Sequence, residues 1–221
     1  MKKTLLILSI MTLFFAGCKK DDMFEKGDMG VVNGHAWVDL GLPSGTKWAT
    51  CNVGADSPEE YGDYYAWGET TTKSTYEESN CPTYGLSISQ LLSQGYIDGE
   101  WNLTPQYDAA KANWGGAWRM PTKTELEELI NNCTWTWITQ NGVKGYSVQG
   151  PSGASIFLPA AGRRFGSSLY LDGDYGYYWS STPFGNDDDY GVYRLDFNYG
   201  REGVGWYSYR YFGLTVRPIL E

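Results

Sequence analysis

The chain has 221 residues and a formal net charge of −9, with 28 Gly, 18 Tyr and 10 Trp but only 19% charged residues. Its acidity argues against nucleic acid or anionic lipid as a partner, since both require basic patches. The length is that of a single domain, and so many aromatic residues and glycines are typical of strands and turns.

The N-terminal residues have the three parts of an export signal. Lys2 and Lys3 precede an apolar stretch, 5–15, that is too short to span a bilayer, and small residues then lead to Cys18. The Phe-Ala-Gly-Cys sequence that ends at Cys18 resembles the bacterial lipobox. We therefore expect residues 1–17 to be removed and Cys18 to carry a lipid anchor. An ordinary signal peptide followed by a chance cysteine is the alternative.

A charged, flexible tether is predicted over residues 18–30, followed by a single domain over residues 31–221. The Lys-Lys-Asp-Asp run at 19–22 resembles the signal of Bacteroidetes lipoproteins that are displayed on the outside of the cell. This pattern favours an outer membrane lipoprotein exposed at the cell surface. The alternative is a solvated spacer on a lipoprotein that faces the periplasm.

The remaining cysteines limit the cross-links that the domain can contain. Cys51, Cys81 and Cys133 can form at most one internal disulfide, and their spacing does not select a pair. The sequence has neither a Cys-x-x-Cys motif nor a Cys/His cluster, so a structural zinc site is not expected.

The first predicted elements are two strands, over residues 35–40 and 46–51, joined by a turn. An aromatic stretch at 61–68 is predicted to be a further strand or a packed loop. Residues 69–106 show no periodicity, and we interpret them as a long surface excursion with one short helical turn near 89–93.

Two helices are predicted next. The first, over 108–113, is short and rich in alanine, whereas the second has a clear start at Thr122, which has capping-box spacing to Glu125. The apolar residues of the second helix fall on one face: Leu126, Leu129, Ile130 and Cys133.

From residue 134 onward the pattern consists of strands and turns. A hairpin is predicted from 135–138 and 143–149, around the turn Asn141-Gly142. Further strands are predicted over 155–159, 177–180, 190–198, 204–210 and 214–219. Helices followed by a mixed set of short strands make up an α+β pattern.

Six stretches match, in the same order, the motifs of a known family. They are residues 40–55, 64–69, 113–122, 156–162, 178–182 and 213–218. Together they resemble the Fibrobacter succinogenes major paralogous domain, a family abundant in Bacteroidetes lipoproteins. The resemblance runs from about residue 35 to the last residues of the sequence.

The fold of that family resembles the C-type-lectin-like fold, in the branch that also contains the formylglycine-generating enzymes. The resemblance therefore implies an α+β, C-type-lectin-like domain in which two helices pack on short mixed or antiparallel strands with long loops. It also implies that the two ends of the domain lie close together. The ligand surface would be built by the loops and strands of the C-terminal third.

The residues offer little for catalysis. His35 is the only histidine, and it is expected to be a surface or packing residue. No cysteine follows Cys133, so the cysteine pair of the formylglycine-generating enzymes is missing. The many carboxylates show no spacing that selects an acid/base pair. We predict a protein that is not an enzyme, has no catalytic residues and needs no cofactor.

Calcium-dependent sugar binding is the next alternative. Asp172, Asp174 and residues 186–189 offer hard oxygen ligands. However, the Glu-Pro-Asn, Gln-Pro-Asp and Trp-Asn-Asp motifs of calcium-dependent C-type lectins are missing from the sequence. We expect a metal-free surface, with these residues in a turn and in a solvated loop.

Residues 170–211 are crowded with Tyr, Asn, Asp, Ser, Gly, Trp and Arg, which is the composition of antibody paratopes. Leu195 and Phe197 alternate with polar residues, so we expect one face of this strand to lie in the core and the other to be free. The predicted ligand-binding residues are Asn186, Asp187, Asp188, Asp189, Tyr190, Arg194, Asp196, Asn198, Tyr199, Arg201, Trp206, Tyr207 and Tyr209.

This composition, just before a Thr-Val-Arg-Pro ending, resembles the variable region of proteins diversified by retroelements. The resemblance implies a fixed framework made of Trp179, Ser180, Ser181, Leu195, Phe197, Arg210, Gly213, Val216, Arg217 and Pro218. The alternative is a strand-rich core with ordinary tyrosine-rich loops.

The sequence thus predicts a cell-surface lipoprotein that binds an extracellular protein or glycan through an aromatic and acidic C-terminal face. Its contact with the membrane would be through the lipid anchor only. Two alternatives from other classes stay open, namely a carbohydrate-acting surface enzyme and a structural protein associated with the envelope or with fimbriae.

Overall fold

The computed structural model describes residues 27–185 and 191–220, without the side chains at 206 and 207. Sheet predominates in this part of the chain, and its α-helices are few, as expected of an α+β domain. The strands are β1 Met29–Val32, β2 His35–Asp39, β3 Lys47–Ala49, β4 Thr134–Gln140, β5 Val143–Gln149, β6 Ser155–Pro159, β7 Arg163–Phe165, β8 Ser168–Tyr170, β9 Tyr175–Pro183, β10 Gly191–Asn198, β11 Arg201–Tyr209 and β12 Ile219–Leu220. The helices are α1 Ile88–Ser93, α2 Ala109–Trp114 and α3 Lys123–Asn132, with a 3₁₀ turn at Glu78–Asn80.

The last strand returns to the first sheet, whose strand order is β1-β2-β3-β12. Ile219 pairs with Trp48 in antiparallel register, so the two ends of the described chain meet in one sheet. The strand predicted over 214–219 is shorter in the structure, because regular pairing begins only at Ile219. Leu214 and Thr215 form isolated bridges to Tyr65 and Tyr178 instead.

A second sheet consists of the predicted hairpin and the strand that follows it, in the order β4-β5-β6. Asn141 and Gly142 both have positive φ, 48° and 87°, as a two-residue type I′ turn requires. The hairpin prediction is therefore confirmed, together with its turn residues.

The predicted helices are confirmed, and the helical turn predicted near 89–93 is α1. Helix α3 begins where its capping box indicated: the Thr122 hydroxyl accepts from the Glu125 N–H, and the Glu125 carboxylate accepts from the Thr122 N–H at 2.8 Å. Arg119 binds the same carboxylate through both of its terminal nitrogens, at 2.9 and 2.6 Å.

The interpretation of residues 69–106 as a surface excursion is wrong in one respect. The segment has little regular structure, yet its isolated apolar side chains are buried one by one in the core. They are Tyr76, Cys81, Ile88, Leu91, Ile97 and Leu103. Because each is separated from the next by polar residues, the segment has no period that sequence analysis can detect.

The N-terminal boundary and the cysteines can be described from residue 27 onward. Strand β1 begins at Met29, inside the range 18–30 predicted as a tether, because the Asp39 N–H already bonds to the Asp28 carbonyl. Cys51, Cys81 and Cys133 are free thiols.

Among residues 27–185 and 191–220, none of the helices has the length and apolar character needed to cross a bilayer.

Helix α3 packs against one face of the third sheet, whose strand order is β11-β10-β9. Leu195 and Phe197 on that face join the α3 residues Leu126 and Leu129 in one apolar cluster. The side chains predicted as framework are buried: Trp179, Ser180, Ser181, Leu195, Phe197, Arg210, Val216 and Arg217.

Arg217 connects the first sheet with the β4–β6 sheet. Its guanidinium is 1% exposed and donates to the Asn52 side-chain oxygen and the Ala49, Thr50 and Phe157 carbonyls at 2.8–3.1 Å. These acceptors lie at the end of β3, in the loop after it and on β6. Burial lowers the pKa of Arg217, but the ordinary pKa of an arginine is so high that the side chain stays charged at neutral pH.

We predict that Arg217→Met lowers the free energy of unfolding by at least about 3 kcal/mol, because four buried acceptors lose their donor together. Urea unfolding followed by tryptophan fluorescence measures this loss. Lys144→Met, a cation-to-methionine change at a half-exposed site, serves as control and should stay within about 0.5 kcal/mol. Equal effects of the two substitutions would contradict the structural role of Arg217.

Candidate ligand-binding surface

The sheet β9–β11 has a face turned away from helix α3, which we call the distal face. On β10 this face carries Arg194, Asp196 and Asn198, which alternate with Leu195 and Phe197 on the core side. The register places Tyr177 of β9 opposite Asp196, and Tyr175 opposite Asn198. The predicted alternation therefore brings three of the predicted ligand-binding residues together on one surface.

The expectation that this second strand face is free is wrong for its centre. Asp196 is only 8% exposed and Tyr177 only 6%. The Arg194 guanidinium lies 4.9 Å from the centroid of the Tyr177 ring, and the Arg163 guanidinium of strand β7 lies 5.7 Å from the same centroid. Tyr177 also belongs, with Trp179 and Val192, to a second buried apolar cluster. The middle of the face is therefore covered, with the two guanidinium groups beside the Tyr177 ring.

An exposed aromatic patch continues the distal face beyond Arg163, whose guanidinium also lies 4.7 Å from the ring of Phe212. We define this patch by the exposed rings of Phe165 and Tyr209 together with the partly buried Phe212 and the buried Tyr211, on which they pack. Tyr209 stacks on Tyr211 with centroids 5.4 Å apart, and Phe165 meets Phe212 edge to face at 5.5 Å. Phe165 is 46% exposed and Tyr209 is 42% exposed, so the rings present their area to solvent.

Asp196 is a buried carboxyl group of the distal face whose hydrogen bonding is incomplete. Its Oδ1 atom is buried without a hydrogen bond among the residues that the structure describes. Burial raises the pKa of the Asp196 carboxyl, and the positive charges of Arg194 and Arg201 offset only part of this shift. Gly203 pairs directly with Asp196 on β11, and the space above its α-carbon is open.

A groove lies at the end of the sheet where strands β10 and β11 turn. It has a volume of about 480 Å³ and is lined by Trp137, Lys144, Asp174, Tyr175, Asn198 and Tyr199. Tyr199 sits at the tip of the turn and is 80% exposed, the largest exposure among the large aromatic and aliphatic side chains described. The groove adjoins the distal face through Tyr175, which stacks on Tyr177 at 5.8 Å.

The predicted ligand-binding residues therefore fall into three groups. Arg194, Asp196 and Asn198 lie on the distal face, while Tyr199 lies at the groove, next to the exposed Arg201. Tyr209 belongs to the aromatic patch at the other end of β11. Asn186, Asp187, Asp188, Asp189 and Tyr190 are outside the described residues, as are the side chains of Trp206 and Tyr207 on β11.

Sequence analysis did not identify the partners that complete this surface. Trp137 and Lys144 come from the β4–β5 hairpin, and Arg163 and Phe165 come from strand β7. The alternation of Trp135 and Trp137 along β4 was the one available signal, since it places two large rings on the same side of a half-covered strand. Nothing in the sequence of β7 indicated that it packs beside Tyr177.

The other candidate groups lie elsewhere or make structural contacts. His35 stacks face to face on Trp114 with centroids 3.7 Å apart, and burial lowers its pKa, so it is a packing residue as expected. Asp174 forms an ion pair with Lys144 at 3.4 Å. Within residues 27–185 and 191–220, no three His, Cys, Asp or Glu side chains gather in a way that holds a metal ion.

The chain matches no protein-family model, and comparison with curated proteins and with solved structures gives no match either. The membership suggested by the six sequence stretches therefore stays a prediction. The surface has to be interpreted from its own geometry.

We predict that Asp196→Asn stabilises the protein at pH 7. Because the pKa of Asp196 in the folded state lies above its ordinary value of 3.8, the ionised carboxyl costs stability at neutral pH. That cost disappears as the pH falls towards 3.8, so the two proteins should converge in acid. Urea unfolding at pH 7 and near pH 4 measures the difference.

The control for this substitution is Asp174→Asn, which changes a carboxyl group that is exposed. It should alter stability by less than about 0.5 kcal/mol at either pH. If Asp196→Asn instead destabilises the protein at pH 7, the carboxylate is held by the arginines as a structural ion pair.

Proposed function

We propose that this chain is an exported lipoprotein, acylated at Cys18 and displayed on the outside of the outer membrane. There it binds an extracellular protein or glycan through the distal face, the aromatic patch and the groove, without catalysis or cofactor. Cys18 lies in residues 1–26, outside the described part of the chain. The anchoring part of the proposal rests on the sequence pattern alone.

The observation that carries the binding proposal is the aromatic patch beside Arg163. Rings such as those of Phe165 and Tyr209 are half exposed although the core nearby buries many others. Tyrosine, tryptophan and arginine dominate binding hot spots because they offer large contact area with few rotatable bonds. Leaving such area in water is unfavourable for an isolated domain, so its retention supports a surface that a ligand covers.

The cost of burying Asp196 supports the same proposal. A carboxylate with an unbonded oxygen lowers stability, and groups of this kind are common where a protein binds a ligand. A ligand that donates a hydrogen bond to Oδ1 would remove the penalty. The open space above Gly203 gives such a donor room to approach.

We also propose that the fold is C-type-lectin-like, as the sequence resemblance implies. The pairing of β12 beside β3 supports this, since it brings the two ends of the described chain into one sheet. The position of the ligand surface on the last long strands supports it as well. Diversification of this surface by a retroelement stays a prediction from composition.

The anchoring proposal predicts that Cys18→Ser moves the protein from the membrane fraction to the soluble fraction. A protease added to intact cells should remove the wild-type domain, because a surface lipoprotein is accessible from outside. Immunoblots of fractionated and protease-treated cells measure both effects, with a periplasmic protein as the control for cell integrity. Full protection of the domain on intact cells would assign it to the periplasm.

The binding proposal predicts that Phe165→Ser combined with Tyr209→Ser weakens attachment to protein or glycan arrays by at least about tenfold. Both side chains are half exposed, so the fold should tolerate their loss. Val31→Ser, which changes an exposed apolar residue on β1, is the matched control and should bind normally. Wild-type levels of attachment in the double variant would count against the aromatic patch as a ligand surface.

A further inference from the structure

We propose that the groove at the β10–β11 turn binds one uncharged pyranose ring of a glycan. This inference deepens the proposed function and rests on it, since it names a ligand class for one part of the binding surface. The groove volume of about 480 Å³ is within the range of small-molecule sites. Three features of the groove favour a sugar, namely two aromatic rings set at an angle, a turn whose backbone is held by hydrogen bonds, and polar groups without net charge.

Two rings form a corner in the groove. The centroids of Trp137 and Tyr199 are 6.2 Å apart, and their planes meet at 85°. A pyranose ring has a face of C–H groups and an edge of hydroxyl groups, so it can lie flat on one aromatic plane and touch the other with its edge.

The turn that presents Tyr199 is rigidly held. The Tyr146 hydroxyl donates to the Asn198 carbonyl at 3.1 Å and accepts from the Gly200 N–H at 3.1 Å. Gly200 has φ 81°, a left-handed conformation that favours glycine. The backbone that carries Tyr199 is therefore held in place, which reduces the ordering that ligand binding requires at this turn.

Trp137 is held in place from the other side of the groove. Its ring meets that of Tyr146 edge to face, with centroids 5.1 Å apart and planes at 79°, and it lies 6.3 Å from Phe197. Tyr146 thus contacts both sides of the corner, through the Trp137 ring on one side and through the backbone beside Tyr199 on the other.

The charged groups of the groove are matched. The Lys144 ammonium and the Asp174 carboxylate lie 3.4 Å apart, both well exposed, so a strong donor and a strong acceptor stand side by side with no net charge. Neighbouring sugar hydroxyls donate and accept at a similar spacing, and they can bond to both groups at once. An anionic or cationic ligand would satisfy one member of this pair and repel the other.

The uncharged polar groups are also available. Within the described chain, the Asn198 amide, the Trp137 indole N–H and the Tyr175 and Tyr199 hydroxyls make no hydrogen bond to the protein. An apolar peptide side chain in this groove would remove water from these groups without replacing its hydrogen bonds, which is costly. A polyol replaces that water with its own hydroxyls, and this favours a sugar over an apolar protein anchor.

The test uses the purified protein and the methyl pyranosides of glucose, galactose, mannose and N-acetylglucosamine. Saturation-transfer NMR detects binding, and titration gives the dissociation constants. We expect at least one of the four to bind the wild type. Tyr199→Ala should weaken that binding by roughly tenfold, a loss equal to about 1.4 kcal/mol, whereas Tyr199→Phe, which keeps the ring, should lose less than about threefold.

Substitutions of Lys144 and Asp174 test the role of the polar pair, and a tyrosine outside the groove serves as the control. Lys144→Met and Asp174→Asn should each weaken the sugar by several-fold, because each removes hydrogen bonds to the hydroxyls. Tyr170→Ala changes a half-exposed tyrosine on β8 that does not line the groove, and it should bind the sugar normally. Thermal denaturation of every variant checks that the fold is intact.

Two results would overturn the inference. One is that none of the four pyranosides binds the wild type, and the other is that Tyr199→Ala binds them unchanged or loses no more than Tyr170→Ala. Failure here leaves the proposed function testable by itself, since attachment that depends on Phe165 and Tyr209 would then point to a ligand of another class. Loss of attachment in the double variant together with normal pyranoside binding would support separate subsites.

Discussion

The buried guanidinium of Arg217 is the constraint on which the rest of the structure depends. One planar group binds four acceptors from two separate segments, residues 49–52 and Phe157, so both segments must be in place for the guanidinium to be satisfied. Two residues before it, Thr215 forms a bridge to Tyr178 of β9. The short stretch 215–217 therefore ties the first sheet and the β4–β6 sheet to the sheet that carries the distal face.

The aromatic residues perform two distinct tasks. In the core, indole N–H groups bond to backbone carbonyls of distant segments: Trp67 to Ser180, Trp118 to Val32 and Trp179 to Tyr65. These bonds fix long loops that contain little regular structure of their own. On the surface, rings such as those of Phe165 and Tyr199 are exposed, and their area is accessible to a ligand.

Much of the fold could be predicted because its signals are local. The Asn141-Gly142 turn, the capping box at Thr122 and the alternation along β10 each depend on residues within one element. The buried segment 69–106 could not be predicted in the same way. Its buried side chains are isolated, and their partners lie far away in sequence, so no hydrophobic periodicity indicates that they are buried.

The candidate surface could be predicted only for the strand that supplies most of its polar residues. Alternation along β10 indicated Arg194, Asp196 and Asn198, yet it could not show that Arg163 and Tyr177 would cover their centre. The groove escaped prediction because its walls come from three turns that only the tertiary fold brings together. Composition pointed to the C-terminal third of the chain, but not to the residues of β4, β5 and β7 that lie beside it in the structure.

The position of β12 has a consequence for how the protein is made. Ile219 and Leu220 complete the first sheet, and the contact between Arg217 and Asn52 spans 165 residues. Such non-local contacts form slowly, because the entropy of closing a long loop is lost before the contact is gained. They can form only once residues 217–220 have been synthesised. The core of the described residues is therefore closed by its last strand, after all its other segments have been made.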